Sequence, residues 1–165
     1  FEAIESAFWA HTVKETVEIL ESDADAAEYD ARQMLLAFYF TYFENALEYR
    51  SRFLMRFPCM RKSGKGVLRE FEHAFKDFAE KIVLQGRAEG QMADMKQLNS
   101  LQEKGLTPQF RFLIDFHLKD TSKGFQDTDA LIEKSVRFYF DAARFPVIES
   151  TVDLFRFLLP RLRQS

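Results

Sequence analysis

The stretch Met34–Phe43, MLLAFYFTYF, holds five aromatic rings and one short polar side chain, Thr41. Three arrangements bury such a run: a membrane span, a helix enclosed on every side, or the wall of an apolar binding site. A spanning helix needs about 20 consecutive apolar residues, and Gln33 and Glu44 close this run well before that. The stretch is therefore expected in a chain that stays in water, with no membrane partner.

The surrounding composition fits a helix with large apolar neighbours. Hydrophobic residues make up 47% and charged residues 30% of 165 positions, which is ordinary, whereas 19 Phe is not. Phenylalanine has no polar atom to satisfy, so many of them can line a large apolar volume. The length allows one domain over residues 1–165 with a sizeable core. A net charge of −3 argues against wrapping nucleic acid alone, because that affinity rests on clustered Lys and Arg. The basic run Arg50, Arg52, Arg56, Arg61, Lys62 and Lys65 is the local exception and reads as a solvated surface. With the single Cys59 and no secretory leader pattern, a cytoplasmic location is expected. The chain begins at Phe1 without Met, inside an amphipathic pattern, as an excised domain does.

Outward from Met34, apolar residues recur at intervals of three and four, and no stretch alternates with period two. This pattern predicts an all-α bundle of about seven helices. The first carries Phe1, Ile4, Phe8, Trp9, Val13, Val17 and Leu20 and ends near Ser22; the second runs from about Ala26 to Phe57, stopped by Pro58. Leu68, Phe71, Phe75, Phe78 and Ile82 mark the third, with Gly86 and Gly90 at its end. A weaker helix spans Met92 to Lys104 with Gly105 as its stop, and Thr107-Pro108 opens the next, which carries Phe110, Phe112, Leu113, Ile114, Phe116 and Leu118. Asp127 and Asp129 open a helix bearing Ile132, Val136, Tyr139 and Ala143 on one stripe and Leu131, Phe138 and Ala142 on another. Ser150 and Asp153 begin the last, rich in Leu and Phe. Two C-terminal helices that are apolar on more than one face predict a dimeric four-helix bundle across a two-fold axis.

Catalytic patterns are sparse. Glu70 and His73 form a Glu-x-x-His, but a di-iron bundle needs a second such pair and two more carboxylates. Lys62–Gly66 lacks the spacing of a phosphate-binding loop. The expectation is no enzyme, no metal and no cofactor. His11 and His117 both fall on apolar seams, where a histidine is either a satisfied core residue or a polar anchor in an aromatic pocket.

The segments FYFTYFENALEYRSRFLMRFP, FAEKIVLQGRAEGQM, FLIDFHLKDTSKGFQDTDALIEKSVRFYFD and STVDLFRFLLPRL, in this order, resemble the C-terminal effector-binding and dimerisation domain of TetR-type transcriptional regulators. The resemblance implies a homodimer that binds a small hydrophobic effector and controls DNA through an N-terminal helix-turn-helix not present in this chain. It implies that the second, third and fifth helices surround a cavity, lined or flanked by Phe38, Tyr42, Phe71, Phe75, Phe78, Phe112, Phe116 and His117. The dimer interface is then expected at Ile132, Val136, Tyr139, Phe140, Leu154, Phe155 and Leu158, and the first helix becomes the connector to the DNA-reading heads. The alternative is a stand-alone helical carrier of a lipid or quinone, using the same cavity with no DNA partner. A purely structural dimer with a filled core is a third reading.

Overall fold

The computed structural model describes residues 2–52, 54–55, 69–94 and 96–144. Five α-helices have both ends among them: α1 (Glu2–Ser22), α2 (Ala31–Ala46), α3 (Arg69–Ala88), α4 (Lys96–Lys119) and α5 (Gln126–Arg144). Short 3-10 turns lie at Asp25–Glu28 and Lys123–Phe125, and no strand occurs among the described residues. The fold is all-α, as the three-and-four spacing requires.

Helix α2 sits at the centre, packed against α1, α3 and α5, while its rings meet Phe110 of α4. No residue from Met34 to Phe43 is exposed. The run is apolar all round because it has neighbours all round. Each such ring, fully buried, stabilises the fold by about 1.5–3 kcal/mol.

The start of α2 is set by polar contacts. Asp30 accepts from the Gln33 backbone N–H at 2.8 Å while the Gln33 side chain accepts from the Asp30 N–H at 3.0 Å, a capping box. Glu89 and Gln91, which follow α3, accept from the N–H groups of Ala31 and Arg32. The free donors of a helix N-terminus are thus satisfied from two directions, one of them a carboxylate at the positive end of the helix dipole. The start lies at Ala31, not near Ala26, because Asp25–Glu28 forms its own short turn.

The expected single helix to Phe57 is also interrupted. From Leu47 to Arg50 each N–H bonds the carbonyl three residues back, a tightened turn after which residues 50–52 are helical again. Conversely, the two helices expected around Gly105 and Pro108 are one, α4. Pro108 is exposed, so its ring projects into solvent, although it removes one helical hydrogen bond. Gly105 is a packing site rather than a stop: a Cβ there would lie 3.3 Å from the Tyr139 ring of α5.

Gly90 ends α3 at φ +70°. Its N–H bonds the Arg87 carbonyl and the Gln91 N–H bonds the Gly86 carbonyl, the Schellman pattern for which a left-handed glycine is suited. The expected final helix, with Leu154, Phe155 and Leu158, lies outside the described residues.

Candidate functional site

Phe38, Phe71, Phe75 and Phe78, together with Tyr42, are each at most 6% exposed. They close around Phe110: centroid distances are 4.4 Å for Phe75–Phe110, 4.8 Å for Tyr42–Phe110 and 5.3 Å for Phe71–Phe110. Phe38 stacks on Phe78 at 4.4 Å. These are core ring contacts. Of the same expected set, Phe116 is half-buried, while Phe112 is 56% exposed on the outer side of α4. Phe112 therefore does not face the interior, a correction that follows from its place two residues after Phe110, on another side of the helix.

His117 alone of that set lines a cleft of about 300 Å³ at the edge of the ring cluster. Phe40, Phe43, Glu44 and Leu47 supply one wall; their spacing of three, one and three places them on one helical stripe. Gly124 and Phe125 of the second 3-10 turn, with Thr128 and Asp129 of α5, supply the other. The His117 ring lies between Phe43 and Phe125, 4.8 Å from each.

His117 is 4% exposed, yet neither Nδ1 nor Nε2 has a hydrogen-bond partner. Burial, assisted by the nearby Arg50 charge and opposed by Asp120, lowers its pKa to about 4. At neutral pH it is an uncharged imidazole offering one donor and one acceptor. A buried polar group left unpaired costs about 1–3 kcal/mol.

The far wall is held by Asp120. Burial alone would raise its pKa, but hydrogen bonds from Thr128 and Ser122 outweigh this and keep the carboxyl well below its ordinary range. The Thr128 hydroxyl and N–H donate to it at 2.6 and 2.9 Å, and the Ser122 N–H at 2.8 Å. Arg50 donates to the Asp120 carbonyl at 3.3 Å and lies 5.0 Å over the Phe125 ring. Phe125 itself sits at φ +58°, directly after Gly124 at φ +63°. A non-glycine residue held there costs on the order of 1–3 kcal/mol, and such strain gathers at ligand sites.

Other expected residues are placed differently. His11 is exposed on α1 rather than on a buried seam. His73 is 74% exposed and pairs with Asp77 at 3.6 Å. Among the described residues no group of three His, Cys, Asp or Glu is placed to hold a metal ion, and no helix is long and apolar enough to cross a membrane. On α5, Ile132, Val136 and Phe140 are 0%, 0% and 4% exposed and belong to the chain's own core. They are not free to meet a second subunit, since α2 and α4 already occupy that face. Tyr139 is half-buried and donates to the Gln102 carbonyl at 2.6 Å. The α5 ring left outward is Phe138, 74% exposed.

Comparison with known families matches residues 34–158 to the family described as "Tetracyclin repressor-like, C-terminal domain". The chain belongs to this family. Tetracycline repressor-like C-terminal domains are parts of regulators, typically ligand-binding and dimerising and generally without enzymatic activity. Neither curated proteins nor solved structures gave a match. The matched span of this tetracycline repressor-like domain contains every residue that lines the His117 cleft.

The sequence did not assign Phe40, Phe43, Glu44, Leu47, Phe125 and Asp129 to a binding site. Two signals point to them. Glu44 lies on the same stripe as Phe40 and Phe43 of the run and Leu47 after it, and Gly124 sits between two helical segments in a short polar loop.

Proposed function

We propose that this chain is the effector-binding and dimerisation domain of a TetR-like regulator, in which a small, largely hydrophobic molecule controls DNA binding by an N-terminal domain outside this chain. The observation that carries the reading is the aromatic-walled cleft that buried His117 lines, inside the family's matched span. Small-ligand sites are mostly apolar concavities of about 300–1,000 Å³ with a few placed polar groups, and the cleft lies at the lower end of that range. The packed rings around Phe110 form its floor through Phe43, which touches Tyr42 at 5.5 Å. Effector binding acts by population shift: occupancy favours one of two dimer geometries by as much as its affinities for them differ.

Dimerisation in this reading uses the outward side of α5, where Phe138 projects and Leu131 and Ala142 are half-buried, together with the C-terminal segment. Native mass spectrometry of the chain tests both halves. A doubled subunit mass with a retained small molecule is expected. A monomer that carries a lipid or quinone overturns the regulator reading in favour of a carrier, and a dimer that takes up no small molecule from a hydrophobic library leaves only a structural role.

A further inference from the structure

We propose that the His117 cleft selects an organic ammonium cation; this rests on the reading of the cleft as the effector site. Among the described residues that line it, two side chains are charged, Glu44 and Asp129, and both are acidic. The nearby cation, Arg50, does not line the cleft. It is turned to the Asp120 carbonyl and to Phe125, and at His117 its charge is opposed by that of Asp120. The imidazole of His117 is uncharged at neutral pH and adds nothing to the balance. What faces a ligand is therefore a negative cleft walled by the rings of Phe40, Phe43 and Phe125.

Aromatic faces carry negative electrostatic potential, and they attract ammonium groups most strongly when the cation is stripped of water. Asp129 reports the same field: burial, Glu133 and Asp120 all raise its pKa, so a ligand cation beside it relieves a repulsion already present. An anion would meet the two carboxylates, and an uncharged apolar molecule would leave the field unanswered. The buried His117 ring, which lines the cleft between Phe43 and Phe125, reports on what enters it.

Choline and the alcohol in which carbon replaces its nitrogen form a matched probe pair, equal in shape and hydroxyl and differing in charge. Titration of each into the chain is followed on the imidazole NMR signals of His117, with exposed His11 and His73 as internal controls. Choline is expected to shift His117 saturably and leave the controls unmoved, with the carbon isostere binding about ten-fold more weakly. The double variant Glu44→Gln, Asp129→Asn, both at exposed positions, is expected to erase the preference for choline over the isostere. An isostere that moves His117 as strongly as choline, or a double variant that keeps the preference, overturns the cationic class while the effector site stands. Failure of both compounds to move His117 up to millimolar excess removes the cation proposal and the effector-site reading together.

Discussion

His117 combines two properties that usually exclude each other, deep burial and the absence of any hydrogen-bond partner. Replacing it with leucine tests whether the residue is kept for folding. We expect His117→Leu to leave the unfolding free energy in urea at neutral pH unchanged or to raise it by about 1 kcal/mol, because an unpaired buried polar group is removed. The pH profile gives a second check. The folded pKa is lowered to about 4 from an ordinary 6.5, so the unfolded chain takes up the proton first. Stability from this group is complete above 6.5 and declines as the pH falls toward 4, by up to about 3 kcal/mol. His117→Leu should flatten that part of the profile. Asp120 has a depressed pKa, so its contribution is present above the ordinary carboxylate range and is lost only at lower pH. A variant that unfolds at neutral pH would mean that the imidazole has a structural partner after all.

At the scale of helices, the ends are fixed by a few polar atoms. Asp30→Ala breaks the capping box of α2 and is expected to cost about 1 kcal/mol in chemical denaturation. Pro108→Ala should do the reverse: the proline is exposed inside α4, and alanine restores a backbone donor, so a gain of about 1–3 kcal/mol is expected in the same assay. No gain would mean that a bend at Pro108 is required by the packing. These positions also show why boundaries were hard to read from sequence. Asp30-x-x-Gln33 is a visible start signal, but Asp23, Asp25 and Ala26 just before it compete as an alternative start. Gly105 and Thr107-Pro108 have the composition of a stop and a start, yet the helix continues because α5 packs against it there, with Tyr139 over Gly105. Local chemistry offered a break, and tertiary contact overrode it.

At the scale of the molecule, α5 divides two outcomes that its sequence cannot separate. Val136 is fully buried against the chain's own helices and Phe138 is 74% exposed. Val136→Glu is expected to unfold the chain, since an unpaired charge in the core costs several kcal/mol. Phe138→Glu is expected to keep the helical circular dichroism and halve the native mass. A Phe138→Glu protein that remains a dimer would move the interface off this face of α5.

The all-helical class, the aromatic core around Met34–Phe43 and the family were determined by the sequence, because helical periodicity and apolar content act locally and survive any arrangement of neighbours. Spacing also assigned each apolar residue to a stripe of its helix. It did not say which stripe meets its own chain and which is left over, since that depends on how the helices pack. Only the tertiary structure turned Val136 inward and Phe138 outward. Packing alone also left His117 without partners near two carboxylates carried by other helices, and it is this convergence of α2, α4 and α5 that forms the cleft.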